Sequence, residues 1–256
     1  MNDLQNTLAK QFKDLHVPSN PIILANVYDG ASAKLVASLP QSKAIATGSY
    51  AVAEAAGTSD DKLSSEDLLR ASRNISTAIR GFNKPITVDV RDGYGSQLAS
   101  MVKELIEIGV VGVNLEDFDN ETKTMYSQEE AVSRIKETID TAKNLGVPDF
   151  VVNARCDVVL KGGELDEVIK RGQAYLAAGA TTVFVFGGPK RGGITREEVV
   201  KLVEAFEGRL SVSKSKDGLT PSTLAAIGVA RISVGPRLQN AALEKMKEVA
   251  EELFNS

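Results

Sequence analysis

The stretch Ile86-Thr87-Val88-Asp89-Val90-Arg91-Asp92-Gly93-Tyr94-Gly95 decides the fold. Its first half is a short run of β-type residues, and the Asp92-Gly93 step with Gly95 ends that run. An acidic side chain, Asp89, therefore stands where a buried strand opens into a loop. The pattern recurs along the chain. Apolar runs at 22–28, 44–48, 86–90, 111–115, 150–154, 182–186, 210–213 and 232–234 give eight strands, with acids at or beside the ends of several: Asp29, Asp89, Glu116 and Asp157. Most of these runs are near-continuously apolar, the pattern of strands buried on both faces in a parallel sheet.

Amphipathic segments fill the intervals at 31–38, 64–79, 96–108, 127–145, 164–178, 195–206, 221–227 and 237–254, with one more at 3–15 ahead of the first strand. Their ends carry physical signals. Ser64 and Ser65 precede Glu66 and Asp67, and Thr195 is followed by Glu197 and Glu198. A hydroxyl cap followed by acids in the first turn satisfies free N–H groups and the helix dipole. Gly109, Gly146 and Gly179 close three segments as helix-ending glycines. Eight alternating units in 256 residues predict a single (β/α)8 TIM barrel domain spanning 1–256. A doubly wound open sheet is the competitor. It ranks lower because no glycine-rich dinucleotide loop follows the first strand.

Composition narrows the class. Hydrophobic content is 43%, charged content 25% and net charge −4, which predicts a globular protein with no attraction to nucleic acid or an anionic membrane. A single cysteine, Cys156, excludes an internal disulfide and fits a reducing compartment. The first twenty residues lack an apolar core, so no signal peptide is expected, and the predicted location is cytoplasmic.

Barrels of this kind carry their chemistry at the C-terminal ends of their strands. Asp89 there is a candidate ligand for Mg²⁺, which prefers oxygen donors, or else a capping residue. Glu116 ends the fourth strand, where a buried Glu needs a metal or a partner such as Arg155. Arg155 ends the fifth strand and offers a planar fork to a carboxylate or phosphate, or closes the barrel mouth against Glu116 or Asp157. Thr47-Gly48-Ser49 ends the second strand as a tight turn that can also bring N–H groups to an anion. Ser233-Val234-Gly235-Pro236 is a weaker candidate for phosphate. Cys156 has no base nearby in sequence. The one histidine, His16, precedes the first strand, so a Cys–His nucleophile is not expected.

In order, these segments resemble the phosphoenolpyruvate mutase/isocitrate lyase superfamily. The resemblance runs from Asn26-Val-Tyr-Asp-Gly-Ala-Ser through Ala46-Thr-Gly-Ser, Asp89-x-x-x-Gly-Tyr-Gly and Gly112-Val-Asn-Leu-Glu-Asp to Asn153-Ala-Arg-x-Asp and Ala230-Arg-Ile-Ser-Val-Gly-Pro. It implies a barrel whose last helix is exchanged between subunits of a homodimer or homotetramer. It also implies Mg²⁺ and a small carboxylate substrate reacting through an enolate. By position Asp89 is then the direct metal ligand, with Asp60 and Glu116 reaching the metal through water. Thr47, Gly48 and Ser49 cradle the substrate carboxylate, and Arg155 orients the substrate.

Two departures stand out. Arg91 occupies a position where the family usually has a second acid. Two unit charges about 4 Å apart at an effective dielectric of about 20 interact by about 4 kcal/mol, so the exchange is not neutral. Arg91 could swing away, fill the metal site or bind an anionic group of the substrate. The segment 119–126 also lacks the Cys and His of the lyases' mobile loop, so isocitrate and methylisocitrate lyase activities are not expected. The leading expectation is a carbon–carbon lyase or hydrolase acting on a 2-oxo or 2-hydroxy carboxylate. A phosphonomutase-type isomerase is the first alternative. The second is a non-catalytic anion-binding relative whose metal site Arg91 blocks.

Overall fold

A computed structural model describes residues 2–215 and 217–256. Its central sheet runs β1 (Ile22–Leu24), β2 (Asn26–Val27), β3 (Ile45–Thr47), β4 (Ile86–Asp89), β5 (Gly112–Glu116), then, beyond a two-stranded hairpin β6 (Phe118–Asp119) and β7 (Thr124–Met125), β8 (Val151–Cys156), β9 (Thr182–Val185), β10 (Leu210–Ser213) and β11 (Arg231–Ser233). The order in space is β1-β11-β10-β9-β8-β5-β4-β3-β2. Every pairing in this sheet is parallel. β1 and β2 are two halves of the predicted 22–28 run, broken at Ala25, and they sit at opposite ends of the order. The sheet therefore curls into a nearly closed barrel of the predicted class.

Helices α1 (Asn2–Asp14), α2 (Gly30–Ser38), α3 (Ser49–Ala55), α4 (Ser65–Ala78), α5 (Leu98–Ile108), α6 (Gln128–Asn144), α7 (Leu165–Ala177), α8 (Gly188–Arg191), α9 (Arg196–Ala205), α10 (Pro221–Ile227) and α11 (Arg237–Phe254) complete the chain. The predicted caps at Ser64 and Thr195 form, and Ser127 caps α6 in the same way, each accepting a backbone N–H from the first turn. The single-turn helix α8 and the short helix α3 have no amphipathic repeat long enough to announce them.

α1 plugs the lower end of the barrel. Phe12 is fully buried there, and a Cβ on Gly112 would stand only 3.2 Å from its ring and 2.8 Å from the Val151 carbonyl. Glycine is thus required where the plug meets β5. Above the plug the lumen is polar. Asn114 Oδ1 accepts from Arg231 and from Asn153, each at 2.8 Å, and Asn153 Oδ1 accepts from Thr182 at 2.6 Å. Arg231 is 1% exposed with no carboxylate in ion-pair range among the described residues, and burial pushes its guanidinium down to about 9.

α11 behaves differently from the other barrel helices. Only Gln239 is buried on it, while Leu243, Met246, Val249, Leu253 and Phe254 are exposed. Ile23 on the outer face of β1 is 52% exposed. Among the described residues no helix is long and apolar enough to cross a membrane.

Candidate active site

The candidate residues gather at the C-terminal ends of β3, β4, β5 and β8. Asp89 is the last residue of β4 and is buried. Its own N–H donates to Thr47 Oγ1 at 3.0 Å. Its carboxylate accepts from the Ser49 N–H at 3.2 Å and the Arg91 N–H at 3.4 Å. Asp89 forms no ion pair among the described residues. Burial raises its pKa, and the negative charge of Asp60 adds to that, against the pull of Arg155. The sequence-predicted carboxylate cradle is thus partly committed. Thr47 and Ser49 hold Asp89, and Gly48 is ordinary extended backbone at φ −133° ahead of α3.

Glu116 and Arg155 end adjacent strands in register. Arg155 Nη1 lies 3.1 Å from Glu116 Oε2, while Nε and Nη2 donate to the two Asp157 oxygens at 2.7 and 2.8 Å. The faces of Phe184 and Phe186 lie 6.0 and 5.0 Å from the guanidinium carbon. Such stacking suits a planar cation. Desolvation pushes Glu116 up to about 8, against the pull of Arg155. Three of the five donors of Arg155 face these acids, which leaves two for a ligand.

Asp60 lies on the short turn Asp60–Lys62 after α3. Its Oδ1 is buried and has no hydrogen-bond partner. The structure thus brings Asp60, Asp89, Glu116 and Arg155 to one mouth. No three acidic, Cys or His side chains among the described residues lie close enough to hold an ion directly.

Several strand-end residues serve the scaffold instead. Asp29 caps α2, accepting the Ser32 N–H at 2.7 Å within a capping box. It is therefore not part of the acidic mouth that the strand-end pattern suggested. Asp157 is spent on Arg155. Asp117 faces away from the mouth, accepting from the Tyr175 hydroxyl at 2.7 Å and the Asp157 N–H at 2.8 Å. Cys156 is buried, and burial with Asp117 beside it drives its thiol pKa well up, so it is no nucleophile. The N–H groups of Val234 and Gly235, offered above to a phosphate, donate to Asn26 Oδ1 at 3.0 and 3.1 Å. His16 packs edge-on against Phe12 at the far end of the barrel.

Three residues escaped the sequence reading. Asn120, on the β6–β7 hairpin, donates its amide to Glu116 Oε1 and, at 3.2 Å, to Asp92 Oδ1. Tyr126 donates its hydroxyl to Asp92 Oδ2 at 3.2 Å. Phe186 supplies the apolar wall behind Arg155. None has a local signature: an Asn in a polar loop and a Phe after a strand are commonplace.

Arg91 is 4% exposed and has no carboxylate in ion-pair range among the described residues. Its guanidinium reaches the Leu63 carbonyl at 3.4 Å, and its Nε has no partner.

The model of the phosphoenolpyruvate phosphomutase family matches residues 12–254. The 2-methylisocitrate lyase of Escherichia coli is 30% identical over 68% of this chain, and the match spans 60% of that enzyme's length. The 2,3-dimethylmalate lyase of Eubacterium barkeri is 29% identical over 84% of this chain and 74% of its own. A solved structure from Burkholderia cenocepacia J2315, to which phosphonomutase activity has been attributed, superposes with TM-score 0.88 at 31% identity, over 97% of this chain and 99% of that one. The similarity to methylisocitrate lyases means that the missing Cys and His of segment 119–126 do not exclude that activity.

Proposed function

Because the chain belongs to the phosphoenolpyruvate phosphomutase family, we propose that it is a divalent-cation-dependent lyase or hydrolase cleaving a carbon–carbon bond of a small 2-oxo or 2-hydroxy carboxylate through an enolate. The observation that carries this reading is the acidic mouth. Asp89 is buried with no ion pair among the described residues, only the longer-range pull of Arg155, and Asp60 Oδ1 is buried without a partner. Uncompensated buried anions are costly, and a bound cation removes the cost. The donor set is all oxygen, which suits Mg²⁺. Asp89 would hold the ion directly, with Asp60 and Glu116 behind its waters. When bound, the ion supplies positive charge to the developing enolate oxygen.

The protein's own groups do the rest. Arg155, held by Asp157 and stacked on Phe186, turns its two free donors toward the substrate and fixes the oxo-acid carboxylate. Glu116, with a pKa pushed up to about 8, is poised to give or take a proton near neutral pH. Asn120 sets the orientation of the Glu116 carboxylate. Thr47 and Ser49 hold Asp89 in place, and the Thr47–Ser49 turn lines the carboxylate end of the site.

The likeness to the Burkholderia structure favours one second reading, a phosphonomutase rearranging a P–C bond at the same residues. Among the described residues Arg91 forms no ion pair with these acids and its guanidinium reaches the Leu63 carbonyl, which favours the catalytic readings over a metal site blocked by Arg91. The exposed apolar face of α11, together with the exposed Ile23 on β1, fits docking onto a neighbouring copy in a homodimer or homotetramer.

The test is turnover of a panel of malate, methylmalate, citrate-type and oxaloacetate substrates with Mg²⁺, with products identified by NMR, phosphorus included. Mg²⁺-dependent cleavage that is lost in Asp89→Ala supports the lyase reading. A P–C product replaces it with the mutase.

A further inference from the structure

We infer that Arg91 and Tyr94 together form a strap that holds the Leu63–Ser64 backbone and so keeps Asp60 at the mouth. Both residues stand in the left-handed region, Arg91 at φ 56° and Tyr94 at φ 60°. Non-glycine residues are uncommon there, and two of them within four positions beside a site mark a stored conformational cost. The consequence is directional. In a continuing strand, residue 91 would point the same way as Asp89, into the mouth. The left-handed turn breaks that alternation and sends the guanidinium sideways to the Leu63 carbonyl at 3.4 Å. The Tyr94 hydroxyl reaches the next carbonyl, Ser64, at 3.3 Å. The guanidinium also lies 5.9 Å from the Tyr94 ring centroid, so the two arms brace one another.

The backbone that presents Arg91 is itself fixed. Its carbonyl accepts the Glu116 N–H at 2.8 Å, and its N–H faces Asp89 Oδ1. The clamped end is the end of the Asp60 turn, where the Leu63 N–H donates to the Asp60 carbonyl at 3.3 Å. The side chain of residue 91 thus acts on Asp60 through the backbone. In this inference Arg91 is a positioning residue.

The part assigned to Asp60 rests on the metal reading above; the strap itself does not. Two measurements keep them apart. Hydrogen exchange of metal-free protein reads the strap directly. We expect amides of residues 57–65 to exchange about tenfold faster in Arg91→Asn, a residue that tolerates the left-handed conformation, and in Arg91→Gly, while β8 amides are unchanged. Unchanged exchange across 57–65 in both variants overturns the strap. Calorimetric titration of Mg²⁺ reads its consequence. Removing a cation beside an acidic site should tighten binding on electrostatic grounds alone, whereas loss of the strap weakens it. We expect about tenfold weaker binding in Arg91→Asn, and an Arg91→Asn/Asp60→Asn double variant no weaker than Asp60→Asn. Tighter binding in Arg91→Asn, or fully additive losses, overturns the positioning role. If the wild type binds no Mg²⁺ at all, the functional reading falls, and the exchange measurement still decides the strap.

Discussion

Glu116 and Arg155 stand opposite one another on adjacent parallel strands, and their side chains meet at 3.1 Å. Asp157 grips the same guanidinium from the other edge. One cation therefore neutralises two buried acids at the mouth. Removing one partner of a buried ion pair leaves an uncompensated charge and typically costs about 3–5 kcal/mol. We expect Arg155→Met to lower unfolding free energy by about that amount in urea denaturation. Arg155→Lys should keep most of the stability and still lose about 100-fold in kcat/KM, because a point charge cannot reproduce the bidentate fork.

Asp89 makes the opposite case. Its carboxylate is buried with no ion pair among the described residues and hydrogen-bonded by two N–H groups, with Arg155 acting only at longer range. Asp89→Asn removes the charge and keeps an acceptor. Metal-free Asp89→Asn should be more stable than the wild type by about 1 kcal/mol, or about 2–4 °C in Tm for a chain of this size. The same variant should lose Mg²⁺ binding in calorimetry. A lower Tm would show that Asp89 supports the fold more than the site.

His16 sets an acid limit on stability. Burial first and Arg231 second hold its imidazole neutral and push its pKa down to about 3. In the unfolded chain it titrates near about 6.5. Between those values the unfolded chain binds a proton that the native one does not, so the stability is fully present above about pH 6.5 and declines as pH falls. The slope is at most about 1.4 kcal/mol per pH unit. Urea unfolding at several pH values between 4 and 8 should show this decline, and His16→Gln should flatten it.

Leu243 and Met246 lie one turn apart on the open face of α11. Charge placed there opposes burial against a second copy. We expect the wild type to sediment as a dimer or larger, and Leu243→Glu/Met246→Glu to shift toward monomer. A monomeric wild type would leave that face without a partner.

Much of the barrel was legible in the sequence. Ile22, Ile86, Val111 and Phe150 open runs whose apolar continuity is set by burial on both faces, and Ser64 and Thr195 announce helix starts chemically. What stayed hidden was non-local. Asp29 and Asp89 look alike as strand-end acids, yet Ser32 three residues on turns the first into a cap. The sequence leaves Arg91 free to swing away, fill the metal site or bind an anion, because the left-handed φ that carries its guanidinium to the Leu63 carbonyl has no local signature. Asn120 and Phe186 enter the site through a hairpin and a barrel closure that bring distant segments together.

The most direct measurement of the central claim is calorimetric titration of oxalate, a planar mimic of an enolate, into the protein with and without Mg²⁺. We predict binding that requires Mg²⁺, that is lost in Asp89→Ala and that weakens at least tenfold in Arg155→Lys. Oxalate binding of equal strength in EDTA, or binding untouched by Asp89→Ala, would contradict a cation-dependent enolate site at this mouth.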